Sequence, residues 1–203
     1  MFDLPKSTEI RKSIHKKLIY QKFPNEFSGD KKIKFDNDIS RIIITNELSE
    51  NSVNIKATDE ISSIFVLQIE LKTKNYNDKN IVIISKIFGH KLILILHFED
   101  EYQLAIYETK LLKSEWKKEE DIRLHIDGLD FSTVWNNLVT FVSGISVTKG
   151  NTLSKQIEIE SEKERLKKKI FKLKNKARRE IQSKRKFEIF QQIQEYIKKL
   201  KDM

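Results

Sequence analysis

The sequence contains no cysteine among its 203 residues. Without cysteine the chain can form no disulfide framework, use no thiol nucleophile and build no cysteine-bearing zinc site. Glycine is scarce as well, with five residues, and neither G-x-G-x-x-G nor the P-loop pattern G-x-x-x-x-G-K-S/T occurs. These absences exclude the usual glycine-rich nucleotide loops, and we expect an intracellular protein without a classical nucleotide site.

Long hydrophobic runs are also absent. The densest apolar stretch, residues 87–98, is interrupted by His90 and Lys91 and is much shorter than the roughly 20 residues of a membrane-spanning helix. The first ten residues lack a basic segment followed by an apolar one, so we expect no secretory signal. These features predict a protein of the bacterial cytoplasm that does not bind a membrane.

Candidate metal ligands and nucleophiles are few. The four histidines, at positions 15, 90, 97 and 125, have spacings that bring no two of them onto one helix face. No G-x-S-x-G elbow supports a catalytic triad. We therefore predict no metal site and no cofactor.

The charge is distributed unevenly along the chain. Residues 1–150 contain 22 Lys and Arg and 22 Asp and Glu, whereas residues 151–203 contain 17 and 8, so the net charge of +9 lies entirely in the C-terminal segment. The overall composition, with 38% hydrophobic and 34% charged residues, is that of a folded and soluble chain. Length and charge together predict one core domain followed by a basic arm.

The beginning of the chain has a helical apolar period. Ser7 can cap a helix over residues 7–20, in which Ile10, Ile14 and Leu18 recur on one face, and a Phe-Pro pair would end it. A second short helix or turn over residues 32–41 leads into a β-branched run.

The middle of the chain predicts strands around one helix. Residues 64–74 alternate apolar and polar side chains, so one strand face should be core and the other polar. A helix over residues 77–88 should start at Asn77 or Asp78 and stop at Gly89. Residues 92–98 and 103–107 then predict a hairpin, because an acidic turn separates two strand-like runs.

The end of the core domain predicts a strand and a helix. Residues 122–126 predict a possible strand. A helix is predicted from Ser132, with its buried face formed by Val134, Leu138, Phe141 and Val142. Helices and strands thus alternate, which predicts an α+β fold for a core domain over residues 1–149.

Residues 150–203 form the predicted arm. One apolar series of coiled-coil spacing contains Ile159, Leu166, Ile170, Leu173, Ala177 and Ile181. A second series contains Phe187, Phe190, Ile193, Ile197 and Leu200. The periodicity slips between them, which predicts an antiparallel helical hairpin that turns near residues 180–186. One continuous helix is the alternative, because neither Gly nor Pro enforces a turn there.

The arm is the first candidate site, because clustered cations attract polyphosphate chains and make binding dependent on salt. The predicted DNA-, RNA- or partner-binding residues are Lys167, Lys168, Lys169, Lys172, Lys176, Arg178, Arg179, Lys184, Arg185 and Lys186. Alternatively these side chains only solvate a coiled coil. Few aromatic residues interleave with the cations, so phosphate contact of low sequence specificity is expected rather than base stacking.

The second candidate site is an E-x-K motif formed by Glu70 and Lys72, with Asp59 eleven residues upstream of the glutamate. This order resembles the core of restriction-type nucleases, in which two acidic residues hold Mg²⁺ and the lysine orients the attacking water. Cross-strand ion pairing is the alternative explanation of the motif.

Four segments of the chain resemble a family of bacterial proteins catalogued as a domain of unknown function, number four-three-nine-one. The segments are Leu4-Pro5-Lys6-Ser7, the stretch from Phe35 to Ile42 followed by Asn46-Glu47, the strand from Val66 to Lys72, and Gly150-Asn151-Thr152-Leu153. The resemblance implies a gene beside helicase-like and DNA-methyltransferase genes, and hence an accessory protein of a restriction or phage-defence system. It implies no catalytic residues.

Three hypotheses follow from these observations. In the first, a non-enzymatic accessory subunit docks on a protein partner, and its arm contacts that partner or nucleic acid. In the second, the chain is a Mg²⁺-dependent nuclease. In the third, the arm is a coiled-coil oligomerisation module whose charge is incidental.

Overall fold

A computed structural model describes residues 2–148 and 151–203. The chain divides into two compact units, Met1–Gly144 and Ile145–Met203. The predicted boundary between residues 149 and 150, with its break at Gly150, lies outside the described residues. No described helix has the length and apolar character needed to cross a bilayer.

The first unit is built on a mixed sheet of seven strands. The strands are β1 (Glu9–Ile14), β2 (Ile39–Ser49), β3 (Ser63–Leu71), β4 (Lys91–Phe98), β5 (Glu101–Tyr107), β6 (Leu111–Lys113) and β7 (Lys117–Lys118). Strands β1 to β6 lie in sequence order across the sheet, and β7 also pairs with β5. Only β3 and β4 run parallel among these pairs, because a helix connects them.

The described residues of the two units contain seven α-helices in total. They are α1 (Lys16–Lys22), α2 (Asp30–Asp38), α3 (Glu50–Val53), α4 (Asp78–Phe88), α5 (Phe131–Ser143), α6 (Leu153–Arg179) and α7 (Ser183–Lys201). The mixed sheet and its helices confirm the predicted α+β class.

The core of the first unit covers both faces of the central strands. One buried cluster joins Ile69 of β3 and Leu94 of β4 to Phe35 of α2 and Ile84 of α4. On the other side of the unit, α5 packs against β3, β5 and β6. The prediction that one face of β3 is polar is therefore wrong. Ile64, Val66 and Gln68 on that face are buried, as are Leu67, Ile69 and Leu71 on the opposite face.

The helix over residues 77–88 is confirmed as α4, and both of its predicted ends are present. The Asn77 side chain accepts a hydrogen bond from the Lys79 backbone N–H at 3.0 Å. Gly89 ends the helix in the left-handed conformation at φ +62°, which suits glycine. The β4–β5 hairpin and the short helix before β2 are confirmed too.

The predicted helix over residues 7–20 is wrong. Residues 9–14 form strand β1, and α1 begins only at Lys16. The register pairs Lys12 with Ile44, so a strand about 30 residues later overrides the local helical period. Ile10 and Leu18, two of the three apolar residues on one face of that predicted helix, are exposed.

Two expectations near the end of the first unit are also wrong. Residues 122–126 form no strand, although Ile122 and Leu124 are buried and the Leu124 N–H donates to the Phe2 carbonyl. Helix α5 buries Val134, Leu138 and Val142 as expected, but Phe141 is 48% exposed.

The second unit contains the antiparallel pair α6 and α7, so the hairpin is found and the single continuous helix is not. The chain turns at residues 180–182. Ile170 and Ala177 of α6 form one buried cluster with Ile189 and Ile193 of α7. This pair is called the hairpin below.

Candidate nucleic-acid interface

The hairpin presents its cations to solvent. Seven of the ten predicted binding residues lie on α6, and the other three, Lys184, Arg185 and Lys186, lie in the first turn of α7. All ten are exposed. The hydrophobic seam between the two helices explains this outward orientation, because it occupies the facing sides of both helices.

The described ion pairs of the hairpin lie near the beginning of α6. Lys163 pairs with Glu160 at 3.0 Å, and Arg165 pairs with Glu162 at 2.7 Å. The hydrogen bond from Arg165 lowers the pKa of Glu162. None of the ten predicted residues takes part in an ion pair described for residues 2–148 and 151–203. Lys169 lies close enough to Glu162 to help lower the pKa of that carboxyl, and its ammonium lies 5.5 Å from the centroid of the Tyr196 ring. No described carboxylate forms an ion pair with any of the ten.

The basic cluster at the start of α7 is not explained by helix stability. The N-terminal end of a helix carries partial positive charge, so cations in the first turn are unfavourable there. Residues 184–186 are nevertheless all cationic, this turn has no acidic residue, and the side chain of the N-cap residue Gln182 makes no capping bond. The carboxylate at this end is that of Glu180, which accepts a hydrogen bond from the Gln182 backbone N–H at 3.0 Å. A bound anion would offset the remaining positive charge, because helix N-termini and cations both favour phosphate.

The structure does not bring the predicted nuclease residues together. Asp59 is exposed in the loop before β3, whereas Glu70 lies near the end of β3 and Lys72 follows it. The step from Ser63 to Glu70 alone covers about 23 Å of extended strand. Among the described residues, no group of three His, Asp or Glu side chains is arranged to hold a metal ion.

Glu70 instead belongs to a polar cluster across two strands. Its Oε2 lies 2.5 Å from Nδ1 of His97, and its Oε1 accepts a hydrogen bond of 2.6 Å from Gln68. The His97 ring stacks on Tyr102 with 4.3 Å between the ring centroids. Burial, and then the nearby Glu119 and Glu70 carboxylates, raise the pKa of Tyr102. Both oxygens of Glu70 thus already have partners.

Asp38, a residue not predicted for either candidate site, lies beside the E-x-K segment in the strand pairing. Ile39 pairs with Leu71, and the Lys72 N–H donates to the Asp38 carbonyl at 2.8 Å. The Asp38 carboxylate accepts from the Asn77 N–H and from the Asn80 side chain, both at 2.8 Å. It therefore holds the start of α4.

The predicted seam positions of two phenylalanines in the arm are wrong. Phe187 and Phe190, placed in the seam, are 63% and 48% exposed, and Phe171 is 66% exposed. Ile181, assigned to the first series, is exposed in the turn. The observed seam of α7 uses positions 189, 193, 197 and 200, and this purely aliphatic series of helical spacing was visible in the sequence.

Comparison with known protein families gives a match over almost the whole chain. The sequence profile described as "Domain of unknown function (DUF4391)" matches residues 2–200, which is almost the whole chain. No curated protein and no solved structure matches the chain.

Proposed function

We propose that this chain, which belongs to the DUF4391 family, is a non-enzymatic accessory protein whose hairpin contacts the phosphates of nucleic acid. The first unit would dock on a protein partner of a restriction or phage-defence system, such as a helicase- or methyltransferase-type protein. The observation that carries the proposal is the set of ten exposed cations, none of which forms an ion pair with a described carboxylate.

The position of these cations supports phosphate binding over simple solvation. A solvated coiled coil gains stability from i,i+4 pairs of opposite charge and from anions near helix N-termini. The tip of the hairpin has three cations, Lys184, Arg185 and Lys186, in the first turn of α7, and they outnumber the one carboxylate there, that of Glu180. A polyanion would convert this unfavourable charge density into binding free energy through counterion release.

Fluorescence anisotropy with a labelled DNA duplex tests the proposal. Wild-type affinity should fall steeply with salt, because log K falls by about 0.9 per phosphate contact for each tenfold rise in salt. A variant in which Lys167, Lys168 and Lys172 are replaced by Gln should bind more weakly. Its salt slope should be smaller by up to about 2.7, which corresponds to three lost contacts.

A matched variant controls for total charge. Lys17, Lys31 and Lys34 are exposed lysines on helices of the first unit, so their replacement by Gln removes the same charge elsewhere. This control should keep the wild-type salt slope. Equal losses in both variants would show general attraction to a basic protein, and duplex binding that does not respond to salt would contradict the proposal.

A further inference from the structure

We propose that the hairpin binds single-stranded nucleic acid, with phosphates on its lysines and bases stacked on its exposed phenylalanines. This inference rests on the proposed function and specifies its ligand, and it replaces the expectation from the sequence that base stacking takes no part. It starts from the exposed phenylalanines, since exposed apolar side chains that recur together on one surface, unlike single ones, mark a binding site.

On α7 the phenylalanines belong to a regular stripe. The stripe consists of Lys184, Phe187, Phe190, Gln194, Lys198 and Lys201, and all six residues are exposed. Their steps of 3, 3, 4, 4 and 3 residues keep them on one side of the helix. No carboxylate is a member of the stripe, although two border it, since Glu188 lies four residues after Lys184 and Glu195 three residues before Lys198. The stripe runs for about 26 Å at 1.5 Å per residue.

Helix α6 repeats the pattern. Its stripe consists of Lys167, Phe171, Lys174 and Arg178, all exposed, with steps of 4, 3 and 4 residues. On each helix, viewed along its own axis from the N-terminus, the stripe lies about 100° around the helix from the buried seam, and the direction of this rotation is the same on both helices. In an antiparallel pair, equal rotations lead to the same side, so one broad face of the hairpin combines cations with three aromatic rings.

This combination matches a single strand better than a duplex. Surfaces that bind single strands join a basic track to aromatic side chains, on which unpaired bases stack. The bases of a duplex are already stacked on each other, so exposed rings would gain little from them. Exposed phenylalanine at helical spacing among lysines is thus explained by a ligand with both negative charge and free ring faces.

A membrane surface is the other class of ligand that attracts basic helices with phenylalanine. Interfacial helices bury a wide apolar face of Leu, Phe or Trp. Here the aliphatic residues of α7 are committed to the seam with α6, and the outer stripe contains Gln194 and no Leu or Trp. The observations therefore favour the nucleic acid, and binding to vesicles of anionic lipid is treated below as a contrary outcome.

The test uses the full chain and three fluorescent probes of equal length. They are a 20-nucleotide oligothymidylate, an abasic strand with the same phosphates, and a 20-base-pair duplex. Anisotropy should show that oligothymidylate binds about tenfold more tightly than the abasic strand, because only the former can stack. This comparison needs no variant, so it does not depend on the folding of a mutant.

Variants then locate the stacking. Replacing both Phe187 and Phe190 by Leu keeps apolar volume but removes the rings, and should bring oligothymidylate to within about twofold of the abasic strand. Replacing both by Trp, which keeps aromatic rings at these positions, should preserve the preference for oligothymidylate over the abasic strand. Phe141→Leu is the matched control, because Phe141 has the same 48% exposure as Phe190 but lies on α5 of the other unit.

Each contrary outcome has its own meaning. Equal binding of oligothymidylate and the abasic strand would overturn the stacking inference and leave phosphate binding intact. Tighter binding of the duplex, or phenylalanine-dependent binding to vesicles of anionic lipid, would also overturn it. If no probe binds at any salt concentration, the proposed function fails as well.

Discussion

The Glu70 carboxylate lies 2.5 Å from Nδ1 of His97, the residue that pairs with it on the parallel neighbouring strand β4. The other ring nitrogen of His97 lies 2.7 Å from the Glu99 carbonyl. Both side chains are about three-quarters shielded from solvent. The glutamate of the E-x-K motif is thus one half of a cross-strand pair that ties the parallel strands together.

A double-mutant cycle should show this coupling. We expect Glu70→Ala and His97→Ala each to lower the free energy of unfolding by about 1–2 kcal/mol, because each leaves a partner without its hydrogen bond. The double variant should lose about 1 kcal/mol less than the sum of the two, as contacting residues do. Urea unfolding gives the values, and strictly additive losses would disprove the coupling.

The same substitution examines the nuclease alternative. Since Asp59 and Glu70 lie at different ends of β3, we expect no plasmid cleavage in Mg²⁺ by the wild-type protein. Cleavage that disappears in Glu70→Ala and in Lys72→Ala, but not in Asp59→Ala, would restore the alternative with a different acidic partner. Gel analysis of supercoiled plasmid is the measurement.

Acid sensitivity should depend on Asp36. Its carboxylate accepts hydrogen bonds from the Tyr20 hydroxyl at 2.6 Å and from the Lys16 ammonium at 3.0 Å. Burial raises the pKa of Asp36, but the hydrogen bonds from Tyr20 and Lys16 lower it by more, so the net pKa lies below its usual value. A carboxyl group with a lowered pKa stabilises the folded state above its unfolded pKa. That contribution disappears as the pH falls through the folded value.

We therefore expect Asp36→Asn to lower the free energy of unfolding by about 1 kcal/mol at pH 7, a value reduced by the partial exposure of the carboxylate. The difference from wild type should shrink as the pH falls below about 4. Urea titrations at pH 7 and pH 3 measure it, with Asp59→Asn as an exposed control. A difference that grows in acid would contradict the assignment.

The parts of the fold that the sequence predicted are those with local signals at both ends. Helix α4 has a capping Asn77 and a terminating Gly89, and the β4–β5 hairpin has a polar turn between two apolar runs. Strand β1 has no such local signal, because it depends on pairing with β2 about 30 residues later. Its apolar residues happened to fit a helical period.

The candidate site, too, has features that the sequence predicts and features that depend on the folded structure. The cations of the hairpin are evident in composition, since charge needs no partner to be recognised. The proximity of Asp38 to Lys72 could not be predicted, because it depends on the register between β2 and β3. The exposed phenylalanines needed the correct helical phase of α7, and two apolar series of similar spacing compete there.

Alanine substitutions in α7 test which of its faces packs against α6. Ile193 is buried in the seam with Ile170 and Ala177, whereas Phe187 is exposed. We expect Ile193→Ala to lower the local stability of the hairpin by about 2 kcal/mol or more, because it leaves a cavity. Phe187→Ala should change it by less than about 0.5 kcal/mol. Amide hydrogen exchange of α6 and α7 reports both, and comparable losses would mean that Phe187 belongs to the seam.

The mass of the chain in solution tests the oligomerisation alternative. A coiled-coil module needs an apolar stripe that its own chain leaves open, yet Ile170, Ala177, Ile189 and Ile193 already pack together within one hairpin. The exposed stripes carry lysines, and a net charge of +9 repels a second copy. Light scattering should therefore give the monomer mass of 24.1 kDa at micromolar concentration. A dimer that becomes a monomer when Phe187 and Phe190 are replaced by Leu would instead make the aromatic face a self-association surface, and it would then compete with nucleic acid for the same rings.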